Sequence, residues 1–287
     1  MPKGAKSQED ALSVIIPANN EAGYIGACLS ALSASELTAN APFRLEAIVV
    51  SNASTDATVA IAHSHEAAFD ARGWTLKIID LEKPGKPNAL NAGDHAASYA
   101  NRMYLDADVV LTPDLIAKLM QELRGAAPVY ASGRPNIPRP QSLFSGFYAR
   151  FYARVPFMSQ GVPGCGLFAV NRTGRARWGH FPDIISDDTF VRLLFRPEER
   201  KIVDADYAWP VVEGFGPLVR VRRRQDKGVA EIRAHFPELP ANDDRRPPVT
   251  SWLPWVALAR PLSFAAYALV AVVVRLTPGA AAWSRGR

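Results

Sequence analysis

Hydrophobic residues form four short runs in the first 110 residues of the chain. The runs are LSVIIP (12–17), LEAIVVS (45–51), LKIIDL (76–81) and RMYLDAD (102–108). Consecutive Val, Ile and Leu, rather than strict alternation with polar residues, are typical of strands buried on both faces. The runs begin about 30 residues apart, which is the length of one strand-and-helix repeat. The pattern therefore predicts four parallel strands.

Helical patterns separate these runs, at 24–35, 56–69 and 88–99. Alternating strands and helices predict an α/β fold with a doubly wound, mostly parallel central sheet flanked by helices. The second half has a looser pattern. There we expect helices at 113–124, 143–155, 187–195 and 219–236, and strands at 162–171 and 202–210.

The C-terminal region has a different composition. A polar, proline-rich stretch at 237–250 predicts a linker, and 251–287 is a hydrophobic helical appendage. We therefore expect a main domain at 10–236, divided into halves at 10–110 and 111–236. Leu262–Val274 contains no charged residue, so protein or lipid must cover it. It is short for a membrane span. A membrane-associated segment is the favoured interpretation, and a buried core helix is the alternative.

Composition narrows the class of protein. The hydrophobic fraction of 48% excludes a disordered chain, and the two cysteines, Cys28 and Cys165, exclude a disulfide scaffold. Two such distant cysteines favour a reducing compartment. The net charge is +5, and arginines cluster near residues 220–224 and in the C-terminal segment. Such clusters suit phosphate-bearing substrates or anionic lipid. We expect no nucleic-acid partner, because neither zinc-finger spacing nor an RNA-binding aromatic motif accompanies them.

Polar residues follow all four predicted strands. They are Pro17–Glu21, Ser51–Asp56, Lys83–Lys86 and the sequence Asp106-Ala107-Asp108. Ligands bind at the carboxyl ends of the strands in open parallel sheets, so these loops should converge on one binding edge. Asp106 and Asp108 would face the same way on an extended chain. Two carboxylates on one face favour a hard divalent cation, such as Mg²⁺ or Mn²⁺, which also bridges to diphosphate.

Several of these motifs occur in a familiar order. SVIIPANNEAGYIGACLSAL, IVVSNASTDAT, GKPNALNAG and YLDADV resemble those of a family 2 glycosyltransferase with the GT-A fold. In the second half, Gly164-Cys165-Gly166 resembles the acceptor-side loop of the family, and Ile185-Ser186-Asp187-Asp188 resembles its acidic motif. The resemblance covers residues 12–228. It implies a metal-dependent, inverting transfer of a sugar from a nucleotide diphosphate donor to a hydroxyl acceptor.

The resemblance also implies a role for each matching residue. Asp106 and Asp108 would hold the metal, and Asp106 would also contact the donor. Asp188 would be the catalytic base beside Asp187, although the pair could equally serve a helix N-terminus. The remaining donor-binding residues would be Pro17, Asn19, Glu21, Ser51, Asn52, Lys86 and Arg224.

Two features of the sequence depart from the family pattern. The resemblance implies a UDP-sugar as the default donor. Ser51, with Asn52 after it, stands where the family has an acid that contacts the nucleobase, so a GDP-sugar is the alternative. Of the QxxRW motif found in processive relatives, only Arg224 matches, which predicts transfer of one sugar per acceptor. The acceptor could be a glycan, a lipid-linked molecule or a small molecule.

The resemblance and the hydrophobic C-terminal segment together predict the location of the protein. The enzyme should act on the cytoplasmic side of a membrane, with a soluble cytoplasmic enzyme as the alternative.

Two alternative functions stay open. The first is a degenerate nucleotide-sugar-binding protein, which would explain Ser51 and the loss of most of the QxxRW motif. The second is a sugar-1-phosphate nucleotidyltransferase, but PANNEAGYIG lacks the glycine-rich, arginine-containing loop of that class.

Overall fold

A computed structural model describes residues 10–36, 43–244 and 248–277. The strands are β1 (Ala11–Ala18), β2 (Arg44–Asn52), β3 (Thr75–Leu81), β4 (Asn101–Leu105), β5 (Val110–Leu111), β6 (Tyr130–Asn136), β7 (Leu167–Val170) and β8 (Arg200–Ala208). The helices are α1 (Ile25–Ser33), α2 (Thr58–His63), α3 (Glu66–Asp70), α4 (Lys86–Ala96), α5 (Leu115–Glu122), α6 (Leu143–Tyr152), α7 (Pro156–Ser159), α8 (Arg172–Arg175), α9 (Asp187–Leu193), α10 (Phe215–His235), α11 (Val249–Ala259) and α12 (Pro261–Leu276). Two 3₁₀-helices cover Pro197–Glu199 and Leu239–Asn242.

The strands form one sheet in the order β3-β2-β1-β4-β7-β6-β8-β5. The first four strands in this order are parallel to one another. β7 runs antiparallel to both β4 and β6, β8 is parallel to β6, and β5 is antiparallel to β8. The predicted α/β fold with a mostly parallel central sheet is confirmed.

Helices cover both faces of the sheet, which explains the continuous hydrophobic runs. In β1, Val14 and Ile16 belong to one buried cluster, whereas Ile15 between them belongs to another. Successive side chains of a strand point to opposite faces, so a strand between two helical layers needs a hydrophobic residue at every position. β2 has the same arrangement, and both strands are therefore internal strands covered on both faces.

The predicted strands of the first half are confirmed, with bounds that differ by at most a few residues. The predicted helix at 56–69 is instead two short helices, α2 and α3, which meet at Ser64 and His65. Strand β6 had no prediction. Its sequence, YASGRPN, contains glycine and proline and little aliphatic surface, and its pairing with β8 is irregular between Ser132 and Arg134. Long-range pairing therefore overrides a weak local strand propensity.

The predicted linker at 237–250 contains ordered structure. Leu239 is buried in a 3₁₀-helix, and Asp243 and Asp244 form ion pairs with the buried guanidinium of Arg192. Asp244 also pairs with Arg200. These contacts attach the first part of the stretch to the half of the chain at 111–236. The division into domains stays a prediction.

The hydrophobic C-terminal segment forms two helices, α11 and α12, which meet at Arg260. Ala266 and Val270 of α12 are buried in a cluster with α6 and α10. The rest of the segment is open to solvent in part, and its large exposed apolar residues are Val249, Trp255, Leu258, Leu262, Leu269, Val272 and Leu276. Protein therefore covers this segment only in part. Across the described residues, no helix combines the length and the hydrophobicity needed to cross a bilayer. Residues 278–287 lie outside the described part.

Candidate active site

The loops that follow β1 and β2 are tied together by hydrogen bonds. Asn19 donates through its side-chain amide to the carbonyl of Asn52, and the side-chain carbonyl of Asn20 accepts from the backbone N–H of Thr55 at 2.7 Å. Asn20 and Ala53 have φ values of +55° and +54°. Such left-handed backbone is strained for residues other than glycine, and it persists only where surrounding contacts hold it. The two loops thus form one preorganised unit at the carboxyl edge of the sheet.

The end of β2 presents buried polar atoms. Ser51 and Asn52 are buried, and within the described part of the chain neither Ser51 Oγ nor Asn52 Oδ1 has a hydrogen-bond partner. A buried polar atom without a partner costs about 1–3 kcal/mol. A ligand that supplies hydrogen-bonding groups would remove this cost. Ser51 and Asn52 therefore have the chemistry of a neutral nucleobase contact.

The side chain of Lys86 joins two acids from distant parts of the sequence. Lys86 begins α4, and its Nζ lies 3.0 Å from Asp106 Oδ1 and 3.2 Å from Asp187 Oδ2. Burial acts to lower the pKa of this amine, but the carboxylates of Asp106, Asp187 and Asp188 raise it by more. The amine is therefore positively charged, and the acids share its charge.

Asp187 and Asp188 occupy the first turn of α9. Ser186 precedes them as the N-cap residue, with no side-chain capping bond. Burial raises the pKa of Asp187 to about 6, because Lys86 offsets burial and the neighbouring carboxylates only in part. Asp188 is half-buried, and its Oδ1 accepts from the backbone N–H of Thr189 at 2.6 Å. Acids at a helix N-terminus are favoured by the helix dipole, so the helix-terminus interpretation is compatible with the site interpretation.

Asp106 and Asp108 lie in a turn, so the expectation of an extended chain is wrong. β4 ends at Leu105, and the carbonyl of Asp106 accepts from the backbone N–H of Val109 at 3.1 Å. Alternation along a strand therefore does not orient these two carboxylates. Among the residues described, no three His, Cys, Asp or Glu side chains lie close enough together to hold a metal ion. Mg²⁺ commonly takes only one or two carboxylates and completes its coordination with water and substrate phosphates.

Space and backbone conformation both require the glycines of the acceptor-side loop. Gly164 and Gly166 have φ values of +64° and +71°. A Cβ at Gly164 would overlap the hydroxyl of Tyr130, and one at Gly166 would lie 2.7 Å from Trp209 Cδ1. The backbone of Gly166 also accepts from the backbone N–H of Asp106 at 2.8 Å, which joins this loop to the turn after β4.

Cys165 lies between these glycines. Burial, the largest cause, raises the pKa of its thiol well above the ordinary range, and the charge of Asp188 adds to this effect. A thiol that stays protonated is a poor nucleophile. Cys165 therefore contributes a small buried side chain, as does Cys28, whose thiol pKa burial raises to about 12. Both cysteines are free.

One small cavity collects seven of the predicted site residues. It is lined by Pro17, Lys86, Asp106, Gly164, Gly166, Asp187 and Asp188, together with Leu90, Tyr104, Leu105 and Phe168. Ser51 and Asn52 lie at the end of the neighbouring strand rather than in the lining. Arg224 also lies outside the lining, on α10 one helical turn before Gly228, which abuts Ser186.

Three residues near the site had no individual prediction. Tyr130 lies beneath the acceptor-side loop, and its buried hydroxyl has no hydrogen-bond partner in the described ranges. Asn91 and Glu231 bind the backbone of the segment that leads to Asp187. Asn91 belongs to the GKPNALNAG motif, and membership of this motif is the one sequence feature that could have indicated a role for Asn91. Nothing in the local sequence indicates the roles of Tyr130 or Glu231.

Comparison with known proteins finds relatives of this chain in sequence and in fold. Residues 13–157, about half of the chain, match the profile of the family described as Glycosyl transferase family 2. The poly-beta-1,6-N-acetyl-D-glucosamine synthase of Staphylococcus epidermidis is 28% identical over 245 residues, which are 80% of this chain and 57% of that protein. The glycosyltransferase AglE of Haloferax volcanii is 37% identical over 98 residues, 34% of this chain and 30% of that protein. The chain thus spans little more than half the length of the first relative.

Solved structures share the fold at low sequence identity. A mannosyltransferase from Pyrobaculum calidifontis, in complex with GDP-Man and Mn²⁺, has a TM-score of 0.58 and 20% identity, over 94% of this chain and 76% of that one. The glucosyl-3-phosphoglycerate synthase of Mycobacterium tuberculosis, in complex with Mn²⁺, UDP and glucosyl-3-phosphoglycerate, has a TM-score of 0.52 and 20% identity, over 80% and 81%. The expected GT-A fold is confirmed.

Proposed function

Because this chain belongs to glycosyltransferase family 2, we propose that it transfers one sugar from a nucleotide diphosphate donor to a hydroxyl acceptor, with inversion at the anomeric carbon. The observation that carries the proposal is the convergence of Lys86, Asp106, Asp187 and Asp188 on one cavity, beside the paired loops that follow β1 and β2. A transferase of this kind needs an anionic base for the acceptor and cationic groups for the departing diphosphate.

Asp188 is the base in this proposal. Its half-buried carboxylate lines the cavity, close enough to Lys86 for the two charges to interact. Asp187 is more deeply buried and holds the ammonium of Lys86 at 3.2 Å. Asp188 takes the proton of the acceptor hydroxyl, while Asp187 keeps Lys86 in position. Gly164 and Gly166 line the acceptor side of the cavity, and Cys165 lies between them in the acceptor-side loop.

Asp106 and Asp108 hold a divalent cation, Mg²⁺ or Mn²⁺, in this proposal. The side chain of Asp106 is 35% exposed and already accepts a cationic group, the Lys86 ammonium, so its environment suits a positive ion. Two carboxylates leave the remaining coordination to water and diphosphate. When bound, the ion would neutralise the charge that develops on the leaving diphosphate. The two fold relatives solved with Mn²⁺ support this assignment.

The nucleoside binds along the ends of β1 and β2. The loop after β1 lines one side of the nucleoside with Pro17, Asn19 and Glu21. The end of β2 supplies uncharged hydrogen-bonding groups on the other side, from Ser51 and Asn52. UDP-sugars are the default donors and GDP-sugars the alternative. Fold relatives were solved with each kind of nucleotide, including a TarS structure from S. aureus with UDP-GlcNAc at a TM-score of 0.52 and 15% identity, over 93% of this chain and 92% of that one.

Arg224 contacts the diphosphate in this proposal. It is half-buried on α10, and the same helix reaches the acid-bearing segment through Gly228. Since the rest of the processive motif is absent, the enzyme adds one sugar and releases its product. The acceptor is a glycan, a lipid-linked molecule or a small molecule.

The exposed apolar side of α11 and α12 binds the cytoplasmic surface of a membrane. Trp255 is 74% exposed, Leu258 79% and Leu262 64%, and Arg260 lies among them. A surface with aromatic and aliphatic residues flanked by arginines suits an anionic lipid interface. Nucleotide sugars are cytosolic, so a membrane-bound acceptor would meet the catalytic cavity on that side.

A turnover assay tests the proposed activity. The full chain is incubated with radiolabelled UDP- and GDP-sugars and Mn²⁺, and sugar transfer or donor hydrolysis is measured. Asp188→Asn should lower turnover by about 10²–10⁴-fold, because the base is lost, while donor binding is retained. Asp183→Asn, at an exposed acid nearby, is the matched control and should be active. Release of pyrophosphate from a nucleoside triphosphate would instead indicate a nucleotidyltransferase. Binding without any turnover would indicate a degenerate binding protein.

A thermal-shift panel identifies the nucleotide. A ligand at about 100 times its Kd stabilises the native state by about 2.7 kcal/mol, which raises Tm measurably. The panel compares UDP, GDP and the other nucleoside diphosphates with Mn²⁺. A response to GDP without one to UDP would identify a GDP-sugar as the donor.

A further inference from the structure

We propose that Glu231 is a positioning residue, which holds the segment leading to Asp187 and Asp188 by accepting a hydrogen bond from the backbone of Ile185. The inference rests on the proposed function and deepens it, because it assigns the placement of the base to a side chain on α10. Glu231 Oε2 accepts from Ile185 N–H at 3.0 Å, two residues before the first acid. The side chain of Glu231 is 25% exposed.

The same helix touches the segment at a second point. A Cβ at Gly228 would overlap the hydroxyl of Ser186 and lie 3.2 Å from Ile185 Cβ. Glycine therefore allows α10 to approach the backbone before α9 more closely than any other residue would. Gly228 and Glu231 are three residues apart, so they lie on one face of α10. The close approach and the hydrogen bond act on adjacent residues.

The opposite end of the segment has its own anchor. Asn91 of α4 donates to the carbonyl of Phe181 at 3.1 Å and accepts from the N–H of the same residue at 2.7 Å. The segment 181–186 is thus held by Asn91 at its start and by Glu231 at its end. It has no strand pairing, so these side chains take the place of a sheet ladder. The backbone leading to the base is fixed between two independent helices.

Catalysis depends on this placement more strongly than stability does. A displacement of about 1 Å at a reacting group can lower the rate about 100-fold. Glu231 does not line the cavity, so its loss should change the turnover number and not the binding of the donor. A carboxamide retains an oxygen acceptor, so Glu231→Gln should keep the bond to Ile185, whereas Glu231→Ala cannot make it.

The matched control lies on the same helix. Asp226 pairs with Arg222 one turn apart and its side chain is 53% exposed. Asp226→Ala removes an acid and its i,i+4 ion pair from α10. Glu231→Ala also removes an acid and an i,i+4 ion pair, because Glu231 lies 3.9 Å from Lys227. General weakening of the helix therefore affects both variants, and only loss of the Ile185 contact distinguishes them.

The experiment combines turnover with hydrogen exchange in the full chain. With the radiolabelled nucleotide sugar that the wild type hydrolyses or transfers, Glu231→Ala should lower kcat about 100-fold and leave donor KM within about twofold, and Glu231→Gln should recover kcat to within about fivefold. Amide exchange of peptides covering 181–189 should accelerate in Glu231→Ala only.

Three results would overturn the proposal. The first is an equal kcat for Glu231→Ala and Asp226→Ala. The second is an equal loss of kcat in Glu231→Gln and Glu231→Ala, which would show that the charge of Glu231 matters and not its hydrogen bond. The third is unchanged exchange in residues 181–189. A wild type that binds nucleotide sugars but never turns them over would refute the proposed function instead, and the exchange measurement would still decide whether Glu231 holds the segment.

Discussion

The ammonium of Lys86 lies 3.0 Å from the carboxylate of Asp106, and so the start of helix α4 is joined to the turn after strand β4. The same amine contacts Asp187, which belongs to the second half of the chain. One cation thus joins an acid of the first half of the chain to an acid of the second half. Charge neutralisation of this kind allows several carboxylates to share a small cavity.

Removing this cation should abolish most activity. In Lys86→Met, Asp187 loses the partner that opposes its burial, so its pKa should rise above about 6 and more of it should be protonated at neutral pH. Loss of a preorganised charged group at a reacting diphosphate typically lowers kcat about 10²–10³-fold. Lys83→Met, at an exposed lysine of the same loop, is the control. Wild-type turnover in Lys86→Met would remove Lys86 from the site.

Tyr130 and Gly164 should be coupled in stability. Gly164→Ala places a methyl group against the hydroxyl of Tyr130 at a positive φ and should destabilise the protein by about 1–3 kcal/mol. Tyr130→Phe removes a buried hydroxyl that has no partner in the described structure, so its stability should equal or exceed that of the wild type. The double variant should recover part of the loss in urea denaturation. Strict additivity would contradict the predicted contact.

Glu46 should make the fold sensitive to acid. Burial acts to raise the pKa of this carboxyl, but hydrogen bonds from Lys77, Ser13 and Ser98 outweigh burial, and the pKa lies below its ordinary value of 4.5. A group with a depressed folded pKa stabilises the protein above the unfolded pKa, and this contribution is lost as pH falls through the folded value.

Glu46→Gln should test this contribution. It should lower the free energy of unfolding by about 2 kcal/mol at pH 7, because a charged hydrogen-bonded group is lost. The difference in unfolding free energy between the variant and the wild type should become smaller below pH 4.5. Denaturation curves at several pH values measure it, with Glu82→Gln at an exposed acid as the control. A difference that is constant with pH would show that the Glu46 charge is not the cause.

The exposed side of the C-terminal helices should bind anionic vesicles. Because α12 covers aromatic residues of α6, truncation after Asp244 would also uncover Phe151 and Tyr148, so surface substitutions are the cleaner test. Leu262→Glu combined with Leu269→Glu should weaken co-sedimentation with vesicles containing phosphatidylserine, since apolar area is lost and negative charge is added.

Ile202→Glu, on the exposed face of β8, is the matched control for this surface. It should leave vesicle binding unchanged. Binding should also weaken as salt increases, because arginines border the apolar surface. If the wild-type chain stays in the supernatant with these vesicles at low salt, the membrane proposal is wrong.

Local sequence was sufficient to predict the half of the fold that rests on continuous hydrophobic strands. In β1 and β2, burial on both faces requires an unbroken aliphatic run, and such a run is visible without knowing its neighbours. The parallel strands in turn predicted where the loops that follow them lie, because the carboxyl ends of parallel strands are at one edge of the sheet. Lys86 and Asp106 could therefore be proposed as neighbours before their distance was known, whereas Asp187 and Asp188 were assigned to the same site only by the resemblance to the family.

Only the tertiary structure decided how the second half completes the sheet and the site. β6 has a poor strand sequence and exists because β7 and β8 supply partners on both sides. The turn at Asp106, the overlap of Tyr130 with Gly164 and the hydrogen bond of Glu231 to Ile185 each depend on segments far apart in the chain. A local pattern records which positions are buried, but a contact between distant segments depends on how the whole chain packs.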